Sequence, residues 1–410
     1  MLIALFLTTL ATVPSAISAD SKTTWNVQTV AENASPFAGN CPIAVDSNNI
    51  THIAYSAWTG KEFFVMYASW NGSGFSTQAV APGVYVIDFV LDAYNNPHII
   101  YFNYDAPGRP IMYASWTGTN WDIQNTGINN AHYAALALDS SDNPHLAYTD
   151  SQFMKYASWT GFYWNIQTVD TYARISNKLF LALDSNNTPW ILYAYVISVT
   201  IVKDMGYSYN NVRLAKLENS SWNIQNFTLN LNDFGNMVLD SKAFLHFTCQ
   251  ELFPNLSGLV NSTLFYVSWN GSIWKTDPVV SGIYLNSIGS LALDSNNTPH
   301  ICYIIPAPNG LIRTQYASWT GTNWDIQTAD SNISGSQPSL AFDSSGNPHI
   351  SYLARGLSDY ANLLYVTTIP ETKQTPSPFP TLIVAVAAVI AMVVVGGLLV
   401  CSKEHQAKKV

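Results

Sequence analysis

LALDSNNTPHI (residues 291–301) and LAFDSSGNPHI (residues 340–350) are two copies of one unit. In each, Asp closes a short apolar run, a polar turn follows, and a new apolar run opens six residues after the Asp. The same spacing occurs seven times. The Asp residues are Asp46, Asp92, Asp139, Asp184, Asp240, Asp294 and Asp343. Their partners six residues on are His52, His98, His145, Trp190, His246, His300 and His349. Successive Asp residues lie 45 to 56 positions apart, whereas the spacing inside the unit never changes. A fixed unit joined by elastic connections marks a repeat architecture.

Each unit has four pieces. The first is the apolar run that ends in Asp. The second is HIAY or a close variant. The third is YASW or a variant, around Tyr67, Tyr113, Tyr156, Tyr266, Tyr316 and Tyr365. The fourth starts at an aromatic residue and usually carries Gln three positions on, as in Trp121 and Gln124, Trp164 and Gln167, Trp222 and Gln225, and Trp324 and Gln327. All four are short, rich in β-branched and aromatic residues, and bounded by Gly, Asn, Ser or Pro, which is the signature of strands. No long helical period occurs before residue 380. Four strands per unit of this length predict an all-β chain, a β-propeller.

In the first strand the residue two before Asp is always Ala or Val: Ala44, Val90, Ala137, Ala182, Val238, Ala292 and Ala341. A strand apolar on both faces reads as buried on both. The chain also opens with a lone fourth-type strand at Trp25 to Val30, and the last unit stops at its third strand near Tyr365. Pairing the two removes an exposed edge. The expectation is therefore a seven-bladed β-propeller whose N-terminal strand closes the last blade, plus one C-terminal transmembrane helix.

Residues 1–19 read as a signal peptide without a basic start, and 20–366 as the propeller ectodomain. Residues 367–380 read as a Pro/Thr-rich linker. Residues 381–401 carry no charge and are long enough to span a bilayer. Lys403, Lys408 and Lys409 in the tail, 402–410, place that end in the cytoplasm. The expected location is the cell membrane, single-pass, with the N-terminal domain outside. Eleven N-x-S/T sequons agree with a secreted face: Asn33, Asn49, Asn71, Asn186, Asn219, Asn226, Asn255, Asn261, Asn270, Asn296 and Asn332.

Net charge −9 with 10% charged residues excludes a nucleic-acid partner, which needs clustered Lys and Arg. Cys41, Cys249 and Cys302 fall on predicted strands of different blades and Cys401 ends the apolar span, so no disulfide framework is expected. The core must hold the domain.

Three constellations could carry chemistry. Asp and His are the residues of metal sites and acid–base catalysis. Seven pairs spread round a ring cannot converge on one ion, however. The expected role is structural, with Asp accepting backbone N–H bonds in its turn and His bonding locally. Calcium would find one sure carboxylate per turn. No metal or cofactor is expected. The second constellation is W-x-G-x-x-W, at Trp116 and Trp121, Trp159 and Trp164, Trp269 and Trp274, and Trp319 and Trp324, with Trp70 and Phe75 as a variant. These aromatics flank a hairpin turn. They either cover blade edges or stack on sugar rings, as in a multivalent lectin. The third is irregularity: Val196 to Val212 and Gln250 to Thr263 are inserts in the fourth and fifth units. Inserts on one face of a repeat protein often mark a binding face, and a merely disordered insertion is the alternative. Lys203, Asp204, Tyr207, Tyr209 and Arg213 are the candidate ligand-binding residues.

On LALDSNNTPHI and LAFDSSGNPHI, residues 25–366 resemble propellers built from Asp-box-like or NHL-like repeats on prokaryotic, more narrowly archaeal, cell-surface proteins, within the broad sialidase-like propeller superfamily. No copy has the full sialidase string S-x-D-x-G-x-T-W. The three Arg, Tyr nucleophile and paired acid that sialidases need would have to come from Arg109, Arg174, Arg213, Arg313 and Arg355 and very few Glu. The expectation is no enzyme: a non-catalytic, monomeric binding or adhesion module for an extracellular protein or matrix partner. A lectin using the Trp hairpins and a sialidase-like glycoside hydrolase are the alternatives.

Overall fold

The computed structural model describes residues 24–368 apart from 36–39, 151, 172–174, 203–204, 232, 255–259, 284–286, 308–311, 334 and 356–359. The expected leader, the span 381–401 and the tail lie outside the described residues. The chain divides into two compact units, one holding Met1–Trp70 and Phe75–Pro370, the other Asn71–Gly74 and Glu371–Val410. The described part of the second unit is a turn in which Asn71 Oδ1 accepts the Ser73 and Gly74 N–H groups at 3.0 and 3.1 Å.

The first unit is all strand. It starts with β1 (Asn26–Ala34), β2 (Ile43–Val45), β3 (Thr51–Trp58), β4 (Phe63–Trp70) and β5 (Phe75–Pro82). Five antiparallel four-stranded sheets follow. They are β6 (Tyr85–Leu91), β7 (Pro97–Phe102), β8 (Ile111–Trp116) and β9 (Trp121–Asn125); then β10 (Tyr133–Leu138), β11 (Pro144–Thr149), β12 (Met154–Trp159) and β13 (Trp164–Asp170). Next come β14 (Ile175–Leu183), β15 (Pro189–Val202), β16 (Met205–Glu218) and β17 (Ser221–Leu231), and β18 (Asp233–Leu239), β19 (Leu245–Pro254), β20 (Val260–Trp269) and β21 (Trp274–Ile283). The fifth sheet is β22 (Ser287–Leu293), β23 (Pro299–Pro306), β24 (Ile312–Trp319) and β25 (Trp324–Ile333). The last described strands are β26 (Gly335–Phe342), β27 (Pro348–Arg355) and β28 (Ala361–Thr367).

The fold is a β-propeller, but the expectation of seven separate blades is corrected, while the expected transmembrane helix lies outside the described residues. Five blades stand alone, and the remaining eight strands form one sheet in the order β26-β27-β28-β1-β3-β4-β5, with β2 on β3. The physical reason lies in β1. Its start pairs with β28, Asn26 opposite Thr367 and Gln28 opposite Tyr365. It then runs on through bulges to Ala34, which pairs with Ala57 of β3, and the Ser35 N–H donates to the Ser56 carbonyl at 2.8 Å. The closing strand therefore joins the last repeat to the first. No helix occurs among the described residues, so none there is long and apolar enough to cross a membrane.

The core lies between sheets. One apolar cluster fills each junction, as where Ile100, Phe102 and Ile111 meet Leu136, Leu146 and Tyr148. The second strands β7 and β11 are buried along their whole length. The first strands are not. Ala44, Val90, Ala137, Ala182, Val238, Ala292 and Ala341 are half-buried, because these strands are the free inner edges of their sheets. The residue before each of them is the buried one, such as Leu136 and Leu291. Across the junctions the fourth-strand aromatic of one repeat meets, edge to face, the third-strand Tyr of the repeat before it. Phe75 packs on Tyr365, Trp121 on Tyr67, Trp164 on Tyr113, Trp222 on Tyr156, Trp324 on Tyr266 and Trp25 on Tyr316, at 5.1 to 6.4 Å between ring centroids. Each such contact adds about 0.5–1.5 kcal/mol beyond area burial.

The turns are joined as well. In every turn the residue three after Asp has positive φ: Asn49, Asn95, Asp142, Asn187, Ala243, Asn297 and Gly346. In five of them its side chain bonds the turn of the preceding repeat. Asn95 Oδ1 meets the Ser47 N–H at 3.4 Å and Asp142 Oδ1 the Ala93 N–H at 3.1 Å. Asn187 Oδ1 accepts the Ser140 N–H at 2.9 Å, and Asn297 Nδ2 donates to Ser241 Oγ at 3.1 Å. Asn49 Oδ1 accepts the Ser344 N–H at 2.8 Å, closing the ring. That bond commits one expected sequon asparagine to structure. Ala243 and Gly346 have no side-chain oxygen to offer. Ala243 also bears the cost of a left-handed conformation, about 1 kcal/mol for a residue with Cβ. Ala243→Asn relieves it and gives Ser185 a partner. The expected gain is about 0.5–1 kcal/mol in denaturant titration, whereas an unchanged midpoint would show that these links carry no stability.

Inside six of the repeats the Asp carboxylate, the His ring and the third-strand Tyr hydroxyl stand in a row, and the Asp–His contact is a hydrogen bond, at 3.4 Å, for His98 and His145. Asp46 Oδ1 accepts the Asn48 and Ile50 N–H groups at 2.8 and 2.7 Å, and the other six Asp residues do the same in their turns. The second oxygen faces His Nε2 at 3.4 to 3.7 Å in six repeats. His Nδ1 accepts the hydroxyl of the third-strand Tyr in all six, at 2.5 Å for His246 and 2.6 Å for His300 and His349. In the fourth repeat the Trp190 indole N–H donates to Asp184 Oδ2 at 3.2 Å, and Leu214 stands at the Tyr position, so both ends changed together.

These groups make stability pH-dependent. Burial, only partly offset by the facing carboxylate, holds the imidazoles of His98, His145, His246, His300 and His349 below the ordinary His range. Burial opposes ionisation of Asp46, Asp92, Asp139, Asp184, Asp294 and Asp343 too. Hydrogen bonds from the turn outweigh it and lower their pKa values. With folded values below unfolded ones, the unfolded chain takes up the extra protons. The stabilisation is complete above the unfolded His value of about 6.5 and is lost as pH falls through the depressed folded values. Asp88 acts in the opposite sense. Burial, partly offset by bonds from the Leu136 and Phe89 N–H groups, pushes its pKa up to about 6, so its contribution is largest in acid and is lost as pH rises through that value. Asn236 holds the matching place in β18, bonding both the N–H and the carbonyl of Leu291. Stability should therefore be flat above pH 7 and fall below about 6.5. Asp88→Asn should add about 1–2 kcal/mol at pH 7.5 and nothing near pH 4. Chemical denaturation at a series of pH values checks both, and a stability that rises on acidification from pH 6.5 to 5 would contradict the histidine account.

Candidate functional site

Of the candidate ligand-binding residues, Tyr207, Tyr209 and Arg213 lie on one strand, β16. Lys203 and Asp204 lie outside the described residues. Tyr207 and Tyr209 are on β16, opposite Thr200 and Ser198 of β15. The insert is therefore a continuation of the β15–β16 hairpin, out to Val202 opposite Met205. The second insert likewise lengthens β19 and β20, to Pro254 opposite Val260. Arg213 faces the neighbouring sheet. Its Nη1 bonds Asp170 Oδ2 of β13, its Nε donates to Asn226 Oδ1 at 2.7 Å, and its guanidinium lies 4.4 Å from the Tyr195 ring centre. Asp170 also accepts the Tyr193 hydroxyl at 2.6 Å. The cluster bridges two sheets. Each Asp faces the His of its own repeat, His349 also contacts Thr51 Oγ1 of the first repeat at 3.0 Å, and among the described residues no three His, Cys, Asp or Glu side chains gather as metal ligands. Cys249 and Cys302 are buried thiols on β19 and β23. Cys41 is also a buried thiol but precedes β2 rather than lying on a strand.

The Trp hairpins divide into two roles. Trp116 pairs with Trp121, Trp159 with Trp164, Trp269 with Trp274 and Trp319 with Trp324, with ring centres 5.3 to 5.8 Å apart. The second Trp of each pair turns to the preceding repeat. Trp121, Trp164 and Trp324 meet its Tyr, and Trp274 meets Phe227 and Phe247 instead. These faces are used by packing. The first Trp stands on the rim shared by the Asp turns and is half-buried. Trp269 is covered by Trp190 at 5.8 Å, with Lys216 Nζ 4.5 Å from the Trp190 ring centre, and this leaves a gap of about 30 Å³, room for a water.

At the next junction the rim is open. A groove of about 490 Å³ runs between the β18–β21 and β22–β25 sheets, lined by Ser268, Lys275, Asp277, Asn297, Trp319 and Thr320 among others. Lys275 Nζ lies 2.8 Å from Asp277 Oδ2 and 5.6 Å from the centre of the Trp319 ring. The lysine is 63% exposed and the aspartate 23%, so both can reach a ligand. Asn297 is fixed by its bond to Ser241. The groove thus offers an aromatic face, an ammonium, a carboxylate and an amide on rigid strands and turns.

Sequence reasoning missed Lys275 and Asp277, although the repeat exposes them. Three residues after the fourth-strand aromatic stands Gln28, Gln78, Gln124, Gln167, Gln225 or Gln327 in six repeats, and Asp277 in the seventh. Where Asp122 and Asp325 precede Gln124 and Gln327, the amide donates to the carboxylate at 2.7 and 2.8 Å. The β21 pair replaces that amide–carboxylate contact with an ion pair.

The chain matches no protein-family model and no curated protein. Among solved structures it is similar to polysaccharide lyase Uly1, with TM-score 0.55 and 9% identity over 86% of this chain and 94% of that one. Looser likenesses join it to the Dos1 propeller, with TM-score 0.44 and 9% identity over 84% and 95% of the two chains, and to a thermostable family-43 glycoside hydrolase, with TM-score 0.37 and 12% identity over 62% and 96%. At these identities the likeness is one of fold. The expectation that the chain is no enzyme is corrected here: the fold it shares also carries a polysaccharide lyase, so the propeller by itself gives no ground for excluding catalysis.

Proposed function

We propose that this propeller binds carbohydrate in the groove between the β18–β21 and β22–β25 sheets. The observation that carries the reading is Trp319 standing over a groove that also holds the Lys275–Asp277 pair. A sugar ring has an apolar C–H face and a rim of hydroxyls. An indole suits the first, and fixed charges and amides suit the second. The volume falls in the range of small-ligand sites. The polysaccharide lyase of the same fold makes a saccharide chain a reasonable ligand, and the sequons suit a domain working outside the cytoplasm, where such chains occur.

A second reading, a protein or matrix partner, rests on the two long hairpins. β15–β16 and β19–β20 belong to neighbouring sheets and extend past the second and third strands of the others, away from the Asp turns. A pair of neighbouring hairpins could grip a larger partner.

Titration of the full chain with galactomannan, xylan and mixed-linkage β-glucan tests the first reading. At least one should bind, and Trp319→Ala should weaken it more than tenfold, at least about 1.4 kcal/mol, with unfolding unchanged. Replacing Val196 to Val212 by a tight turn should leave that binding intact. Chromatography of the same mixtures reports whether the bound chain is also cut. Binding that ignores Trp319→Ala and disappears with the hairpin would move the site to the opposite rim.

A further inference from the structure

The charges of the groove bear on which sugar it holds. In the other repeats the residue after the fourth-strand aromatic is Asn26, Ser76, Asp122, Asn165, Asn223 or Asp325, and only here is it a lysine. Among the described residues lining the groove Lys275 is the one cation and Asp277 the one anion, and they neutralise each other at 2.8 Å. Resting on the carbohydrate-binding reading above, we infer that the ligand is a neutral pyranose presenting a free vicinal diol.

An incoming carboxylate or sulfate would have to take the ammonium away from Asp277 and then sit beside that carboxylate. It would exchange one ion pair for another and lose solvation in doing so. A cationic sugar meets the mirror image of the same difficulty. A diol leaves the pair in place. One hydroxyl donates to the Asp277 carboxylate while its neighbour accepts from the Lys275 ammonium, and both are charge-assisted bonds. Vicinal hydroxyl oxygens lie about one hydrogen-bond length apart, roughly 2.8 Å, which matches the Nζ to Oδ2 separation. The ammonium is held over the Trp319 ring at 5.6 Å, so a sugar bridging the pair has the indole beside its C–H face. Asn297, with its amide donating to Ser241, closes the end of the groove at the neighbouring turn.

The probes are galactomannan, xylan and mixed-linkage β-glucan on one side, and polygalacturonate and dextran sulfate on the other, titrated into the full chain at low and high salt. Wild-type protein should bind a neutral polysaccharide with less than a twofold change between the two salt conditions, and should not bind the anionic ones. Asp277→Gln, which restores the residue of the other six repeats, should lower neutral binding at least tenfold. By releasing Lys275 it should also bring salt-sensitive binding of polygalacturonate. Lys275→Gln should lower neutral binding as well, without that new affinity. Wild-type binding of polygalacturonate or dextran sulfate that is lost in Trp319→Ala would overturn the neutral-diol inference and leave the carbohydrate site standing. Neutral binding unchanged in Asp277→Gln would overturn it too. No binding of any of the five polysaccharides would overturn both.

Discussion

A carboxylate that accepts two backbone N–H bonds in a tight turn is the interaction on which the rest of this propeller depends. In each repeat one Asp oxygen holds the turn, and the turn sets where the next strand begins. Its other oxygen faces His or Trp at the start of that strand, and the His in turn receives the Tyr hydroxyl from the third strand. Three strands are thereby registered by one side chain. A one-residue slip in any of them would turn a buried row to water, so the spacing from Asp to its partner cannot drift while the outer connections can.

Closure follows a different rule from the interior of the ring. A propeller must join its ends or leave a bare strand edge. Here the N-terminal strand completes the last repeat and then reaches the first through Ala34 and Ala57. The turn-to-turn bond from Ser344 to Asn49 and the contact of Phe75 with Tyr365 bridge the same seam. Bonds of the same kinds operate at ordinary junctions, so the seam relies on repeat chemistry plus one extended strand.

Variation within a repeat is where chemistry can enter. Trp190 with Leu214 is a structural variation: the indole N–H keeps the bond to Asp184 and the ring closes over Trp269. Lys275 with Asp277 is a different kind, because the pair stands in an open groove and replaces an amide seen in the other six repeats. The two changes sit at successive junctions, one sealed and one open, and the open one is the candidate site.

Much was legible in the residues themselves. The Asp spacing, the apolar runs and the aromatic-initiated fourth strand specify the repeat, because strand burial and turn hydrogen bonding act over a few residues. The pairing of Trp25 to Val30 with the third strand of the last repeat was legible too, since a lone fourth strand and a repeat lacking one imply each other. What the residues could not show was set by contacts between distant segments. Whether β1 stops at one repeat or continues to the next depends on Ala34 meeting Ala57. Whether a rim Trp is covered, as Trp269 is by Trp190, or open, as Trp319 is, depends on which side chain the neighbouring sheet presents. Arg213 looked available in the sequence and is bound to Asp170 forty-three residues earlier. The sequence alone determined the repeat, its strands and its turns, since these rest on local hydrogen bonds and periodic burial. Only the tertiary structure decided how the sheets join and which groove stays open, since those outcomes depend on pairs of side chains that meet across a junction.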